Sequence, residues 1–169
     1  MHAPDRPEGV ALALYQPDIP QNAGNMLRLA ACLGVVVHVI GPAGFDLSDR
    51  ALRRAGMDYL AHVVIVRHVD WVQFEAWRAG SGRRLILLTA RGDTPYVDFG
   101  FAGGDVLLLG RESAGVPEAV HGAADARLAI PLRPGLRSIN VSSAAAMVLG
   151  EALRQTGGFG GIATAPGTV

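Results

Sequence analysis

Short apolar runs alternate with stretches of helical periodicity along most of this chain. Residues 10–15 and 35–40 are runs of β-prone apolar residues, and the segment between them repeats apolar side chains at helical spacing. A glycine directly after the last periodic position is typical of a helix end. The periodic positions and this glycine are Met26, Leu29, Ala30, Leu33 and Gly34. The pattern predicts a strand, a helix and a second strand.

The same alternation continues toward the carboxyl end. A helix from about residue 48 has Ser48 or Asp49 as its N-cap. Further helices are expected at residues 70–79, 116–120 and 141–155, and further strands at 63–66, 85–88, 106–109 and 128–130. Strands that are apolar throughout must be covered on both faces. The pattern therefore predicts an α/β fold with a mainly parallel sheet flanked by helices.

Length and composition favour one domain. The chain has 169 residues, of which 50% are apolar, enough for a single core. We expect the domain to span residues 10–157, with flexible termini at 1–9 and 158–169. The apolar surface of the closing helix is wider than one sheet can hide, which favours a partner subunit. The apolar runs are too short to cross a membrane and the start lacks a signal-peptide core, which predicts a cytoplasmic protein.

The charge balance argues against a protein that grips nucleic acid by bulk electrostatics. Fifteen basic residues oppose fifteen acidic ones, for a formal net charge of zero, so any polyanion must meet a local patch. The basic residues are arginines, which suit bidentate phosphate contacts, although a GC-rich coding sequence gives the same bias. The clustered arginines are Arg50, Arg53, Arg54, Arg83, Arg84, Arg133 and Arg137.

Several kinds of chemistry find no support in the sequence. Cys32 is the only cysteine and lies in the first predicted helix, so a disulfide framework is excluded and we expect a buried, inert thiol. The histidines lack metal-ligand spacing, and no metal is expected. Neither Gly-x-Gly-x-x-Gly nor a P-loop follows the first strand, which disfavours dinucleotides and nucleoside triphosphates. The histidines interpreted as core or surface residues are His38, His62, His68 and His121.

Three polar constellations follow predicted strands. Asn22 and Arg28 would bring an amide and a guanidinium to the end of strand one, with a capped turn and a surface arginine as the alternative. Glu112 would have its carboxylate stabilised by helix N-terminal amides, unless its loop is an ordinary βα turn. Ser138 and Asn140 follow an Ile-Pro strand exit, which could also be a plain connector. Together they predict a pocket for a mid-sized organic ligand.

The order and spacing of these motifs resemble those of the SPOUT methyltransferases, in the SpoU/TrmH branch. The motifs are Asn22-x-Gly24-Asn25-x-x-Arg28, Gly110-x-Glu112-x-x-Gly115, and Ile130-Pro131 leading to Ser138-x-Asn140. Residues 44–45 and 52–59, and the short length without an added RNA-binding domain, resemble the TrmL group. That group methylates the ribose 2′-hydroxyl of the wobble nucleotide, a cytidine or modified uridine at position 34, in certain tRNAs.

The resemblance implies a deep trefoil knot in the carboxyl-terminal part of the sheet and an obligate homodimer. It also implies S-adenosylmethionine as the cofactor and S-adenosylhomocysteine as its product. The implied cofactor-binding residues, which act mostly through backbone groups, are Leu88, Gly110, Ile130 and Ser138. The implied catalytic residues are Asn22, Arg28, Glu112 and Asn140, with the arginine coming from the neighbouring subunit or facing its pocket.

The implied substrate is a flipped, single-stranded base of the tRNA anticodon loop. Arg28 either removes the proton of the 2′-hydroxyl or holds the phosphate and stabilises the developing alkoxide. A guanidinium keeps its proton in proteins, which favours the second role. Arg111 replaces the proline usual in related chains and adds a charge at the turn. Our candidates for phosphate contacts across the dimer are Arg53, Arg54, Arg133 and Arg137.

Three other functions stay compatible with these motifs. The first is a 2′-O-methyltransferase of the same superfamily that acts on ribosomal RNA or on another tRNA position. The second is a non-catalytic RNA-binding module that kept the fold. The third is a dinucleotide-binding oxidoreductase, which calorimetry with S-adenosylhomocysteine against NAD would separate from the others.

Overall fold

The computed structural model describes residues 9–55 and 57–162, in which strands and helices alternate. The strands are β1 (Ala11–Tyr15), β2 (Val37–Ile40), β3 (Ile65–His68), β4 (Leu85–Leu88), β5 (Thr94–Pro95), β6 (Val106–Leu109) and β7 (Ala126–Ala129). The α-helices are α1 (Pro20–Leu33), α2 (Asp49–Arg54), α3 (Trp71–Ser81), α4 (Glu118–Ala123) and α5 (Val141–Thr156). Two 3₁₀ helices lie at Asp58–His62 and Tyr96–Asp98.

The seven strands pair in parallel in one sheet, in the order β3-β2-β1-β6-β4-β7-β5. The chain winds outward from β1 through β2 to β3 and then crosses to β4, beyond β6. At the centre, Leu12 of β1 lies beside Leu107 of β6, and both are fully buried. The carboxyl ends of β4, β6 and β7 meet at the edge of the sheet where parallel folds bind ligands.

Helices cover the sheet on both faces. Leu12 and Leu14 of β1 face a cluster formed with α1 and α5, which also pack on each other. Ala13 and Tyr15 of the same strand face a second cluster, which contains Phe74 of α3. Because successive side chains of a strand point to opposite faces, both sets are buried. The predicted α/β fold with a parallel sheet flanked by helices is confirmed.

The helix ends follow their sequence signals. Gly34 ends α1 with a φ of +65°, a backbone that glycine adopts without strain. The hydroxyl of Ser48 accepts a 3.2 Å hydrogen bond from the backbone N–H of Ala51, which confirms Ser48 as the N-cap of α2. Asp70 caps α3 in the same way through the N–H of Gln73, at 2.9 Å.

Some predicted boundaries are wrong. The strand expected at residues 63–66 is β3, Ile65–His68, because a 3₁₀ helix occupies the residues before it. The strand expected at 128–130 begins two residues earlier, since β7 includes the polar Arg127, whose guanidinium donates to the carbonyl of His121 at 2.8 Å. The helix expected at 116–120 is displaced to α4, which starts after Pro117.

Cys32 is exposed, so the predicted buried thiol is wrong. The buried face of α1 carries Asn22, Ala23, Met26, Leu27 and Ala30. These positions repeat at helical spacing, so the next positions on the buried face are 33 and 34. Cys32 is therefore not on that face.

The predicted flexible termini, 1–9 and 158–169, lie mostly outside the described residues. Residues 158–162 form turns after α5, and the N–H of Gly158 donates to the carbonyl of Leu153 at 2.8 Å. Within the described ranges, no helix is long and apolar enough to span a membrane.

Candidate active site

A cavity of about 750 Å³ opens at the carboxyl ends of β4, β6 and β7. The loop 130–140 forms one side of it. Apolar side chains and exposed backbone make up most of its wall, and its volume suits a mid-sized organic ligand. The residues implied by the sequence motifs that line it are Leu88, Gly110, Ile130 and Ser138, together with Asn22, Glu112, Arg137 and Asn140. The motifs therefore converge as their order along the chain suggested.

A second cavity, of about 720 Å³, lies at the opposite end of the strands. Its wall includes Val10 and Val35, which precede β1 and β2, and Trp77 of α3. Ligands in parallel sheets bind beyond the carboxyl ends of the strands. We therefore place the site at the first cavity, where the polar motif residues also meet.

The loop after β6 is a tight turn that presents backbone to the cavity. The backbones of Arg111 and Gly115 exchange two hydrogen bonds, at 3.0 and 2.9 Å. A Cβ atom on Gly110 would lie 2.8 Å from the carbonyl carbon of Gly115, so the turn itself requires a glycine there. The expected stabilisation of the Glu112 carboxylate by helix N-terminal amides is wrong, because α4 begins only at Glu118.

Asn22, Glu112 and Asn140 come from three separate segments and form one hydrogen-bonded chain. Asn140 caps α5 through its Oδ1, which accepts from the N–H of Ser142 at 2.8 Å. Its Nδ2 donates to Oδ1 of Asn22 at 2.9 Å. Asn22 is buried, and its side chain also hydrogen-bonds Glu112. The NH₂ group of Asn22 must therefore point toward the carboxyl group of Glu112.

Asp18 and Glu112 form a carboxyl pair at the end of this chain. Burial and the hydrogen bond to Asp18 raise the pKa of Glu112 above its usual range. That same hydrogen bond, with one from the hydroxyl of Ser113, lowers the pKa of Asp18 to about 2. The neighbouring Asp18 carboxylate therefore favours the protonated form of Glu112. Without that proton, Oδ1 of Asp18 and Oε2 of Glu112 are buried oxygens with no donor among the described residues.

Arg111 is tied to the end of β1. Its Nη2 donates to Oε1 of Gln16, and Nε2 of Gln16 lies 3.4 Å from the carbonyl of Gly41. Gln16 has a φ of +41°, which is rare for a residue with a side chain. The Nε of Arg111 is buried and lacks a hydrogen-bond acceptor in the part of the chain that the structure describes. One charged donor of a residue that lines the cavity is thus without a partner among the described residues.

Arg28 lies outside this cavity within one chain. It is exposed on α1, and its Cζ lies 5.8 Å from the centre of the Tyr59 ring. The expectation that Asn22 and Arg28 reach the same strand end holds for Asn22. It fails for Arg28 within a single chain, because α1 carries that residue almost two turns farther along.

The four arginines suggested for phosphate contacts lie on two surfaces. Arg53 and Arg54 share a shallow groove on α2 with Arg50. Arg133 and Arg137 lie on the loop 130–140, and Arg137 lines the cavity. All four side chains are exposed.

The histidines do not gather at the site. His38 of β2 and His68 of β3 are buried against Phe74 of α3, with Nδ1 of His38 3.0 Å from Nε2 of His68. The interpretation of these two as core residues is confirmed. Across residues 9–55 and 57–162, no group of three or more histidine, cysteine or acidic side chains could hold a metal ion.

Gln16 and Asp18 belong to the site but were not found from the sequence. Both follow a fully buried strand and precede Asn22, which is the place where a parallel sheet exposes ligand-binding groups. Their position was therefore a usable signal. Their partners, Arg111 and Glu112, are far away in the sequence and appear only in the fold.

Comparisons with known proteins identify the family of this chain. Residues 9–150 match the model of the SpoU rRNA Methylase family. The chain is 63% identical over 155 residues to the tRNA (cytidine(34)-2'-O)-methyltransferase of Beijerinckia indica subsp. indica, which covers 92% of this chain and 97% of that relative.

Solved structures have the same fold. One, described as structural insights into the 2-OH methylation of C/U34 on tRNA, has a TM-score of 0.80 at 42% identity and covers 88% of this chain and 97% of its own. The SpoU methyltransferase AviRb from Streptomyces viridochromogenes, in complex with the cofactor AdoMet, has a TM-score of 0.78 at 30% identity and covers 90% of this chain and 59% of its own. The resemblance seen in the motifs is confirmed: this chain belongs to the SpoU rRNA methylase family.

Proposed function

We propose that this protein transfers the methyl group of S-adenosylmethionine to the ribose 2′-hydroxyl of nucleotide 34, the wobble position, of tRNA. The observation that carries the proposal is the meeting of Asn22, Glu112 and Asn140 at one cavity on a SpoU fold. The relative from Beijerinckia indica supports the choice of substrate, since it is named for this reaction and matches over nearly its full length. We expect a cytidine or a modified uridine as the acceptor.

The cavity fits S-adenosylmethionine in size and in chemistry. Leu88 and Ile130 offer apolar walls, while Gly110 and Ser138 offer backbone and small polar groups. When bound, the cofactor supplies an electrophilic methyl group on a sulfonium. The AdoMet complex of AviRb, a protein of the same fold, supports this assignment.

The residues of this chain position the two reactants. Methyl transfer needs the ribose oxygen in line with the methyl carbon at roughly 3 to 3.5 Å, so positioning carries much of the rate enhancement. We assign Asn22, Glu112 and Asn140 to the ribose side of the cavity. Their mutual hydrogen bonds fix each amide and carboxyl group before the acceptor arrives.

We assign Arg28 to the acceptor phosphate and the developing alkoxide, in the cavity of a second subunit. Arg28 is exposed and lies outside its own cavity, so a homodimer would bring it to the reaction. Apolar side chains around the cavity and on α5 are also left exposed for such a partner. They are Ile19, Leu132, Leu136, Ile139 and Met147. A Met147→Glu variant should elute as a monomer with light-scattering detection.

We also propose that the carboxyl-terminal segment is threaded as a trefoil knot. β7 lies between β4 and β5, two strands that follow each other in the chain. The connection between those strands passes tightly against β7, since a Cβ on Gly92 would lie 2.5 Å from the backbone nitrogen of Ala129. These contacts support a late segment passing beneath an earlier loop.

Labelled methyl transfer tests the function. Purified protein and labelled S-adenosylmethionine are incubated with unmodified tRNA transcripts and, separately, with ribosomal RNA, and mass spectrometry of nuclease fragments locates the label. We expect label at nucleotide 34 alone, and none in a matched tRNA with a 2′-deoxy nucleotide at that position. Label confined to ribosomal RNA or to another tRNA position would contradict the proposal. Binding of RNA without transfer would indicate a non-catalytic module.

Phosphate contacts are assigned to Arg53, Arg54, Arg133 and Arg137. The zero net charge leaves the protein without a general electrostatic grip, so binding should depend on these local groups. We expect weak tRNA binding that falls steeply with salt, and a shallower salt dependence in an Arg53→Gln, Arg54→Gln double variant.

A further inference from the structure

Tyr59 contacts α1 at two points that both concern Arg28. Its hydroxyl donates a 3.1 Å hydrogen bond to the carbonyl oxygen of Gly24. Within α1 the same carbonyl accepts the backbone N–H of Arg28, because helical hydrogen bonds join residues four apart. The guanidinium of Arg28 also lies over the Tyr59 ring, at 5.8 Å from its centre. One side chain therefore holds both the backbone and the charged end of Arg28.

The Tyr59 ring carries no charge and lies beside the Arg28 guanidinium. In the described part of the chain no carboxylate pairs with Arg28, and the Tyr59 ring is its side-chain contact. A ring face attracts a guanidinium without using the N–H donors at its edge and without neutralising its charge. A carboxylate in that place would occupy the fork that a phosphate needs. Arg28 is thus restrained and still available to an anion.

The segment that carries Tyr59 is fixed against α1. The 3₁₀ helix Asp58–His62 packs on α1, and Cε of Met57 lies 2.9 Å from the place where a Cβ of Gly24 would stand. Gly24 therefore permits the close approach that the hydrogen bond needs. Burial raises the pKa of Tyr59, which keeps its hydroxyl a donor at neutral pH.

We propose that Tyr59 is a positioning residue for Arg28, which it holds with its N–H donors directed at the phosphate or ribose of the acceptor nucleotide. Tyr59 itself contacts no reacting atom. The inference rests on the proposed function, in which Arg28 meets the RNA. It assigns a purpose to the segment 57–59, which no catalytic motif includes.

Two substitutions separate the contacts. Tyr59→Phe keeps the ring and removes the hydrogen bond, whereas Tyr59→Leu removes both. We expect Tyr59→Leu to lower kcat for tRNA methylation by about 3- to 30-fold, the range for a lost cation–π contact, and Tyr59→Phe to restore most of that loss. The dissociation constant for S-adenosylhomocysteine should stay unchanged in both. The matched control is Tyr96→Leu, a half-buried tyrosine on the same apolar cluster, which should keep the wild-type kcat.

Coupling to Arg28 distinguishes positioning from a general structural role. Affinity for tRNA is measured with S-adenosylhomocysteine present, for Tyr59→Leu in the wild-type and in the Arg28→Ala background. We expect weaker binding in the first background and no further effect in the second. An equal effect in both backgrounds, or a wild-type kcat for Tyr59→Leu, would overturn the proposal. If the wild-type protein does not methylate nucleotide 34, the proposed function is wrong. The comparison of tRNA affinities still tests the role of Tyr59 in that case.

Discussion

The Nδ2 atom of Asn140 donates a 2.9 Å hydrogen bond to Oδ1 of Asn22, a residue 118 positions earlier. Asn140 caps the last helix and Asn22 lies in the first turn of the first one, and the two helices pack side by side. The candidate site therefore forms only when the carboxyl-terminal segment has taken its place.

Asn140 has two separable tasks, capping and orientation. Asn140→Asp keeps the oxygen that accepts from Ser142 and loses the donor to Asn22, so we expect the melting temperature to stay near wild type while methyl transfer falls about tenfold or more. Asn140→Ala should lose activity and also about 1 kcal/mol of stability, through the missing cap. Thermal unfolding and initial rates measure both. Wild-type turnover in Asn140→Asp would show that the contact with Asn22 does not matter.

The carboxyl pair predicts a pH dependence of stability. The pKa of Glu112 is raised in the folded protein, so the unfolded chain loses this proton first as the pH rises above the ordinary 4.5, and the free energy of unfolding falls. Asp18 acts in the opposite sense, because its stabilising effect is present above the ordinary 3.8 and is lost as the pH falls toward about 2.

Asp18→Asn tests this pair. We expect the pKa of Glu112 to fall toward its ordinary range, followed by carbon NMR titration of its carboxyl group, because an amide can donate to the Glu112 carboxylate. The decline of stability above pH 4.5 should become smaller. Asp93→Asn, at an exposed position, is the control. A pKa of Glu112 that is the same in Asp18→Asn and in the wild type would refute the interaction between the two carboxyl groups.

His38 should limit stability in acid. Burial, with His68 and Arg83 nearby, lowers the pKa of His38 to about 3, against 6.5 in an unfolded chain. The unfolded state therefore binds a proton as the pH falls below 6.5, and the free energy of unfolding decreases. His38→Leu should be less stable at pH 7.5, since it loses the hydrogen bond to His68, but should decline less on going to pH 5. Urea unfolding at both pH values measures the difference, and parallel declines would contradict it.

Two glycine substitutions probe the tight crossing beside β7. A Cβ on Gly92 would lie 2.5 Å from the nitrogen of Ala129, so Gly92→Ala should destabilise the protein by about 1–3 kcal/mol or more, because backbone must move. Gly80 lies in α3 with open space around it, and Gly80→Ala should stabilise by about 0.5–1 kcal/mol. Calorimetric unfolding compares them. Equal stability of the two variants would mean that the crossing is loose.

The apolar pattern located the central strands best. Residues 85–88 and 106–109 form β4 and β6 with the predicted bounds, because both strands are covered on both faces and contain only apolar residues. β3 lies at the sheet edge and includes the exposed Arg67, and β7 includes Arg127. Because these strands contain charged residues, the apolar runs predict bounds that differ from the observed ones. The predicted burial of Cys32 is wrong because helical periodicity alone does not specify which face of α1 is buried.

At the site, the motif residues were predictable and their partners were not. Asn22, Glu112 and Asn140 stand next to strand ends in the sequence, and strand ends converge in a parallel sheet. Asp18 interacts with Glu112, and Tyr59 contacts Arg28 and Gly24. These residues are far apart in the sequence, so the contacts form only in the folded chain. Arg28 lies outside the cavity of its own chain, and the positions of the motifs along the sequence do not indicate this.

A crystal structure with bound S-adenosylhomocysteine tests the central claim most directly. The account predicts that the ligand fills the cavity at the carboxyl ends of β4, β6 and β7, in contact with Leu88, Gly110, Ile130 and Ser138, with its sulfur facing Asn22 and Asn140. Density for the ligand in the cavity at the opposite end of the strands, beside Trp77, would contradict it.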